Sequence, residues 1–184
     1  ILIVAGSSGK TGAAALAALG ALRSGAGLVT VATPRVCQPV VSAMLPEYMT
    51  LGLDDTADGM VSADAVDAIL AERCDVLAVG PGLGQGAGVR ALVRALVERA
   101  TMPLVLDADG LNAFADDADA LVGRDGRDLV ITPHPGEMAR LIGVTVDHVQ
   151  THRVEVAREF AVTRGIYVVL KGARSVVATP EGAV

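Results

Sequence analysis

Glycine-rich turns that directly follow apolar runs are the most chemically suggestive feature of the sequence. The first is Gly6–Ala13 (GSSGKTGA), and the second is Gly80–Ala87 (GPGLGQGA). Such turns expose backbone N–H groups at the start of a helix, where phosphate groups bind. The first turn is not a P-loop, because two residues separate Gly6 from Gly9 and that motif needs four. It either closes over an anionic ligand, with Lys10 beside that ligand, or forms a tight strand-to-helix turn with a solvated lysine.

The second turn fits the G-x-G-x-x-A pattern of dinucleotide-binding proteins through Gly82, Gly84 and Ala87. Asp107 ends the next apolar run, about where an acid that binds ribose would lie. A dinucleotide-binding Rossmann domain is therefore one hypothesis. Simple packing is the other, since any tight strand-to-helix crossover favours glycine. The turn follows the third apolar run, whereas the Rossmann fingerprint usually follows the first strand.

Carboxylates and a histidine follow two later apolar runs. Asp107 and Asn112 belong to the turn DADGLN, which could hold a hydrated Mg²⁺ or orient a substrate hydroxyl. Alternatively, Asp109 of this turn caps the next helix. His134 and Glu137 belong to TPHPGE, where two prolines fix the backbone around the histidine. This favours a histidine directed at a ligand, although a histidine in a turn is often structural.

A lysine closes the last long apolar run. Lys171 follows Val168–Leu170 and begins a turn that continues through Gly172, Ala173, Arg174 and Ser175. An ammonium group at the end of a buried strand needs a compensating anion or hydrogen bonds. A phosphate group would supply that anion, and the alternative is a lysine that reaches solvent at the edge of the sheet.

Short apolar runs alternate with helical patterns, and this alternation indicates βαβ units. The runs are Ile1–Ala5, Leu28–Ala32, Asp75–Val79, Pro103–Leu106, Leu129–Ile131 and Ile166–Leu170. Because these runs lack polar alternation, the sheet should be mostly parallel and covered by helices on both faces. The pattern therefore predicts a three-layer α/β/α fold.

Two helices are predicted from the first half of the sequence. The clearest follows Gly86, where apolar residues recur over Val89–Val97 at the spacing of a buried stripe. The segment Gly12–Arg23 is apolar all round, which predicts a helix buried between neighbours.

The second half of the sequence predicts one more helix and a terminal hairpin. Val149, Val156 and Phe160 mark the helix, which should end near Gly165. Ser175–Val184 is typical of a strand, a Pro-Glu-Gly turn and the start of a second strand.

Composition limits the function classes. The chain is 52% hydrophobic but has no apolar run of the roughly 18 residues that a membrane span needs. Its formal net charge of -6 argues against a nucleic-acid partner. Cys37 and Cys74 lack CxxC spacing and further ligands, which argues against a zinc site or a disulfide framework. These features favour a cytoplasmic protein with reduced thiols, and 184 residues favour one domain.

Six segments in register resemble the ADP- or ATP-dependent NAD(P)H-hydrate dehydratases of the ribokinase-like class. They are GSSGKTGAA, ALRSGAGLVTVATP, VGPGLG, LDADGLN, TPHPGE and LKGARSVVATP. The resemblance implies a ribokinase-like fold and the dehydration of hydrated NADH or NADPH, as the S-epimer, back to NAD(P)H. In that reaction ADP becomes AMP, or ATP becomes ADP, and phosphate is released. The resemblance also implies Mg²⁺, a cytoplasmic homo-oligomer, often a tetramer, and an NAD(P)H-hydrate epimerase as a fused domain or a partner.

The resemblance also assigns residues to two ligands. It implies that Ala13, Gly82, Gly84 and His134 contact the hydrated dinucleotide and that Lys171–Ser175 line the nucleotide phosphates. Four further side chains are candidate contacts to the substrate or Mg²⁺: Lys10, Asp107, Asn112 and Glu137.

The sequence departs from the family pattern in one respect. The family's G-T-G-D segment, which supplies an anion hole and the aspartate that activates the substrate hydroxyl, is not among residues 1–184. We therefore expect a single ribokinase-like domain that is truncated at both ends, with its catalytic aspartate beyond Val184 and no activity of its own. A ribokinase-like small-molecule kinase and a non-catalytic dinucleotide-binding module remain alternative functions.

Overall fold

One eight-stranded sheet runs through the part of the chain that the computed structural model describes, residues 1–115 and 117–184. Its strands are β1 (Leu2–Val4), β2 (Thr30–Pro34), β3 (Met49–Leu53), β4 (Leu77–Val79), β5 (Leu104–Leu106), β6 (Leu129–Ile131), β7 (Tyr167–Leu170) and β8 (Val176–Ala178). Their spatial order is β3-β2-β1-β4-β5-β6-β7-β8. Neighbours are parallel, except that β7 and β8 are antiparallel. The prediction of a mostly parallel sheet is confirmed.

Helices connect most of the parallel strands. They are α1 (Thr11–Arg23), α2 (Gln38–Ser42), α3 (Val66–Ala71), α4 (Ala87–Arg99), α5 (Asp109–Asn112), α6 (Pro135–Ile142), α7 (Val146–Thr151) and α8 (Arg153–Arg164). Single 3₁₀ turns lie at Ala63–Ala65 and Ala118–Ala120.

The two faces of the sheet carry separate hydrophobic clusters. Along β1, Leu2 and Val4 belong to the larger cluster and Ile3 to the smaller one, because successive side chains of a strand point to opposite faces. The smaller cluster includes Ala14 and Ala18 of α1, whereas α4 buries its apolar stripe in the larger one. Helices therefore cover both faces, and the predicted three-layer α/β/α architecture is confirmed.

Each predicted apolar run overlaps an observed strand, but β3 was missed. This edge strand contains Thr50 and Gly52, and only Leu53 is fully buried. An edge strand with polar and glycine residues lacks the continuous apolar pattern that identified the other parallel strands.

The strand predicted within residues 175–184 is observed as β8, and it pairs with β7. The predicted turn does form, since the Thr179 backbone N–H donates to the Ala183 carbonyl at 3.0 Å. The second strand stays a prediction, because only Ala183 and Val184 of the described residues follow the turn.

Two helix predictions also need correction. α1 is not buried between neighbours: Ala14 and Ala18 are fully buried, but Leu16 is 71% exposed. The helix covers the sheet with one side only. The helix predicted around Val149–Phe160 is two helices, which meet at His152, where φ is −120° and lies outside the helical range. The predicted end at Gly165 is confirmed by its left-handed conformation.

Within the described residues, the structure contains neither a membrane-spanning helix nor a disulfide bond. Among the described residues, every helix is too short or too polar to cross a bilayer. Cys37 is buried and Cys74 is half-buried, and both are free thiols. Burial raises the pKa of each thiol, which keeps it protonated and poorly nucleophilic.

Candidate active site

The first two glycine-rich turns meet where the strand order reverses. β1 lies between β2 and β4, and α1 and α4 pack on opposite faces. The turns that precede these helices therefore lie at the kind of position where open α/β sheets bind ligands. Two hydrogen bonds join the turns: the Gly6 N–H donates to the Pro81 carbonyl at 2.8 Å, and the Ser7 hydroxyl donates to the Gly82 carbonyl at 2.7 Å.

Packing accounts for the glycine at position 82. A Cβ atom on Gly82 would lie 2.9 Å from the Cβ atom of Ala13 and 3.0 Å from the carbonyl oxygen of Lys10, and its φ is +69°. Ala13 and Gly82 are therefore in direct contact, and Gly84 follows in the same turn. Because close packing already explains these residues, the G-x-G-x-x-A pattern does not by itself indicate a bound dinucleotide.

Asp109 connects the first three turns. Its carboxylate accepts hydrogen bonds from the Gly84 backbone N–H at 2.9 Å and from the Gln85 side-chain amide at 3.2 Å. It also forms an ion pair with Lys10 at 3.2 Å. Lys10, which is half-exposed, thus binds a carboxylate of the protein and is not simply solvated. The Asn112 amide donates to the same carboxylate at 3.4 Å.

The hypothesis that Asp109 caps the next helix is wrong. Asp109 is the first residue of α5, and its side chain makes no capping hydrogen bond there. The residue before it, Ala108, has φ of +53°, which is sparsely populated for a residue with a side chain. On either side of this strained residue, the carboxylates of Asp107 and Asp109 bind different lysines.

The hydrogen bonds to Asp109 determine its charge state. Burial alone would raise the pKa of this carboxyl group, but the Gly84 N–H, the Gln85 amide and Lys10 outweigh burial and lower the pKa below 3.8. Asp109 is therefore ionised at neutral pH and holds the turns together as an anion.

Lys171 lies between two carboxylates at the end of β7. Its Nζ atom is 2.5 Å from the nearer Asp107 carboxylate oxygen and 3.7 Å from Oε2 of Glu137. Glu137 is almost fully buried, with 7% of its side chain exposed, whereas 39% of the Lys171 side chain is exposed. The anions that compensate the ammonium group are therefore side chains of the protein, and the exposed part of Lys171 remains accessible to a ligand.

His134 has a structural role, which was the alternative left open by the sequence. It precedes α6, and its Nδ1 atom accepts hydrogen bonds from the backbone N–H groups of Gly136 (3.0 Å) and Glu137 (3.3 Å). In return, the Glu137 carboxylate accepts a hydrogen bond from the His134 backbone N–H at 2.7 Å. This is a capping box with histidine as its first residue. Nδ1 is the acceptor, so a neutral ring carries its proton on Nε2.

The turn after β7 presents its residues to solvent. Gly172, Ala173, Arg174 and Ser175 are all exposed. The φ angles of Gly172 and Arg174 are +147° and +59°. Among residues 1–115 and 117–184, no hydrogen bond is made by the backbone N–H groups of residues 172–174. Successive unpaired N–H groups in such a turn can bind an anion.

The candidate residues therefore lie along one edge of the sheet. Lys10 contacts Asp109. Lys171 contacts both Asp107 and Glu137, and Glu137 in turn contacts His134.

A separate cleft of about 650 Å³ lies between α6 and α8 and contains none of these residues. Its Arg164 is already paired with Asp119. The strand-end edge, and not this cleft, combines charge with free backbone groups.

Three residues of the site were missed from the sequence. Ser7 and Gln85 tie the turns together, but their types are common in loops and carried no separate signal. Arg153 donates to carbonyl groups of the turn after β7. Its position at the start of a helix was a signal, because cations are disfavoured there.

The covered parallel sheet and its polar strand-end edge define an α/β protein of the ribokinase-like class. A ribokinase-like superfamily protein from Enterococcus faecalis has the same fold, with a TM-score of 0.76 at 22% identity over 97% of this chain and 59% of that one. The family model described as NAD(P)H-hydrate dehydratase matches residues 1–184. The chain belongs to the NAD(P)H-hydrate dehydratase family.

Individual relatives agree with that assignment. The chain is 47% identical over 186 aligned residues to a bifunctional NAD(P)H-hydrate repair enzyme of Moorella thermoacetica, covering 100% of this chain and 35% of that one. It is 40% identical to an ADP-dependent (S)-NAD(P)H-hydrate dehydratase of Neisseria meningitidis, over 98% and 58% of the two chains.

A solved structure is also similar. The ADP/ATP-dependent NAD(P)H-hydrate dehydratase of Bacillus subtilis, co-crystallised with ATP/Mg²⁺, has a TM-score of 0.79 at 36% identity, over 98% of this chain and 60% of that one. The chain thus spans between about a third and three fifths of the length of these relatives.

Proposed function

We propose that this chain forms the dinucleotide- and nucleotide-binding part of an enzyme that dehydrates (S)-hydrated NADH or NADPH to NAD(P)H. ADP would be converted to AMP, or ATP to ADP, with release of phosphate. The observation that carries the proposal is the single polar edge on which the glycine-rich turns, Asp109 and Lys171 lie together. The family membership of the chain supports it.

The two ligands would occupy different parts of this edge. The dinucleotide would lie against Ala13, Gly82, Gly84 and His134, beside the closely packed backbone of the turns that follow β1 and β4. The nucleotide phosphates would lie against Lys171–Ser175, where exposed N–H groups and an accessible ammonium group favour anions. The contacts from Asp107 to Lys171 connect the two parts.

The expected reaction is consistent with separate binding sites for the dinucleotide and the nucleotide phosphates. In the family's reaction the hydroxyl of the hydrate is phosphorylated and then eliminated, which converts a poor leaving group into a good one. Lys171 would stabilise the negative charge of the transferred phosphoryl group, and the turns would hold the hydroxyl in line with it. In this proposal the aspartate that activates the hydroxyl lies outside residues 1–184, which we treat as one ribokinase-like domain.

Mg²⁺ would accompany the nucleotide. No cluster of three or more acidic, histidine or cysteine side chains that could hold a metal occurs in the described residues. Nucleotide-bound Mg²⁺ needs only one or two protein carboxylates, because phosphates and waters complete its shell. Asp107, with 32% of its side chain exposed, fits that requirement better than Glu137, which is almost fully buried and already accepts the His134 N–H. The ion would neutralise phosphate charge.

Partners and location are extensions of the same proposal. The Moorella relative is described as bifunctional, so an NAD(P)H-hydrate epimerase is a reasonable fused domain or partner. We further propose a cytoplasmic homo-oligomer, with a tetramer as the expected state.

Calorimetric titration tests the binding of both ligands. We expect residues 1–184 to bind ADP or ATP, and a Lys171→Met variant to bind about tenfold or more weakly, since it loses a charge-assisted contact to phosphate. An Arg158→Met control removes an exposed cation of α8 and should bind as the wild type does.

Three results would contradict the proposal. Binding of NAD without any binding of ADP or ATP would indicate a non-catalytic dinucleotide module. Equal affinities of the Lys171→Met variant and the wild type would remove the lysine from the phosphate site. In a polypeptide that also contains the G-T-G-D segment, a phosphorylated product stoichiometric with ADP, without recovery of NADH absorbance, would indicate a small-molecule kinase.

A further inference from the structure

Arg153 reaches from the first turn of α8 to the turn after β7. Its Nη2 atom donates to the carbonyl oxygens of Leu170 at 3.0 Å, Lys171 at 3.3 Å and Arg174 at 3.4 Å. Its Nη1 atom donates to the Lys171 carbonyl as well, at 3.3 Å. One half-buried guanidinium group therefore binds three carbonyl groups of residues 170–174.

The position of Arg153 conflicts with local helix preferences. The first turn of a helix carries a partial positive charge, so a cation there is unfavourable. Arg153 is the first residue of α8, and its guanidinium group has donors only. The carbonyl groups of the turn compensate that charge. Such a conflict with a local rule is expected where a residue serves a site.

The guanidinium group also sets the shape of the turn. A Cβ atom on Gly172 would lie 2.7 Å from Nη1 of Arg153, so the side of Gly172 that faces Arg153 has no room for a side chain. The Lys171 N–H donates to the Pro133 carbonyl at 2.8 Å, which anchors the start of the turn. The carbonyl groups of Leu170, Lys171 and Arg174 are bound to Arg153, and the N–H groups of residues 172–174 remain free for a ligand.

We propose that Arg153 is a positioning residue for the nucleotide phosphates. It holds the carbonyl groups of Leu170, Lys171 and Arg174 away from the ligand, so that the N–H groups of residues 172–174 face the phosphates, and it places a second positive charge behind the turn. This inference rests on the proposed function, because the ligand of the turn is the ADP or ATP of that reaction.

The test compares ADP and NAD binding by calorimetry in Arg153→Met, Arg153→Lys and the control Arg158→Met. We expect Arg153→Met to weaken ADP binding about tenfold or more and to leave NAD affinity unchanged, because NAD would bind against the turns that follow β1 and β4. Arg153→Lys keeps the charge but not the fork of donors, so we expect about a threefold or greater loss. Arg158→Met should match the wild type.

Each result decides between a positioning and a purely structural role. Parallel loss of ADP and NAD affinity, or unchanged ADP affinity in Arg153→Met, would overturn the inference. If Arg153→Met does not fold, Arg153→Lys decides, and ADP binding equal to that of the wild type would overturn the inference. Absence of ADP and ATP binding by the wild type would instead overturn the proposed function on which it rests.

Discussion

The two ends of the candidate site are built from different parts of the chain. The glycine side, residues 6–13 and 80–84, consists mainly of closely packed backbone. The charged side consists of the side chains of Asp107, His134, Glu137 and Lys171. The glycine side should therefore tolerate added volume poorly at its closely packed positions, Gly6, Gly80 and Gly82, whereas the charged side should tolerate changes of shape better than changes of charge.

The largest effect is expected on the glycine side, from Gly80→Ala. A Cβ atom on Gly80 would lie 1.8 Å from the carbonyl oxygen of Asp107, and the φ angle of +134° is unfavourable for alanine. Overpacking and backbone strain together should lower the free energy of unfolding by about 2 to 6 kcal/mol. Urea unfolding followed by circular dichroism measures this change.

Gly12→Ala is the matched control. Gly12 lies in α1, and a Cβ atom there would have nothing within 4 Å. Alanine should raise the free energy of unfolding by about 0.5 to 1 kcal/mol, because it restricts the unfolded chain and favours the helix. Similar small changes in both variants would show that close packing does not define the glycine side.

The next largest effect is expected from Asp109→Ala, which removes a carboxylate that joins the turns of the glycine side. Its hydrogen bonds to the Gly84 N–H and the Gln85 amide are charge-assisted, so the free energy of unfolding at neutral pH should fall by about 1.5 to 3 kcal/mol. Asp67→Asn is the control, because Asp67 forms only an exposed ion pair with Arg99, and the change should stay below about 1 kcal/mol.

The contribution of Asp109 should depend on pH in a defined direction. The pKa of this carboxyl group is lower in the folded protein than its ordinary value of 3.8, so the unfolded chain binds the proton more readily. The stabilisation is complete above pH 3.8 and is lost as the pH falls through the lower folded-state pKa. The difference between wild type and Asp109→Ala should therefore shrink below pH 3.8, and a constant difference would mean that charge is not the cause.

The sequence contained enough information to locate the turns of both sides. Continuous apolar runs identified the parallel strands, and the carboxyl ends of parallel strands share one edge of a sheet. The convergence of Gly82 and Lys171 on that edge followed from those two facts. The resemblance to known dehydratases added the expectation that the dinucleotide and the nucleotide phosphates bind to different residues.

The contacts between the turns could not be predicted in the same way. Lys10 pairs with Asp109, which is 99 residues away, and Lys171 pairs with Asp107, which is 64 residues away. These pairs depend on the order of β1, β4, β5, β6 and β7 in space, which the apolar runs alone do not give. Ala108, which separates Asp107 from Asp109, has a positive φ, and its residue type gave no reason to expect that conformation.

The smallest effect on stability is expected on the charged side, from His134. Replacement by alanine removes the acceptor that caps α6 and should lower the free energy of unfolding by about 1 kcal/mol. Asparagine is a good capping residue, so His134→Asn should stay within a few tenths of a kcal/mol of the wild type. Urea unfolding of both variants measures these values.

Dinucleotide binding by the same two variants separates the cap from a contact to the ligand. The Nε2 atom of His134 lies 3.4 Å from Oε1 of Glu137, but 51% of the side chain is exposed, so the ring can contact a dinucleotide while Nδ1 caps the helix. Asparagine is expected to replace only the capping function. We therefore expect His134→Asn to keep the stability of the wild type and still bind hydrated NADH more weakly in a calorimetric titration. Recovery of both properties in His134→Asn would limit the histidine to its capping box, and the charged side would then contact the dinucleotide through other groups.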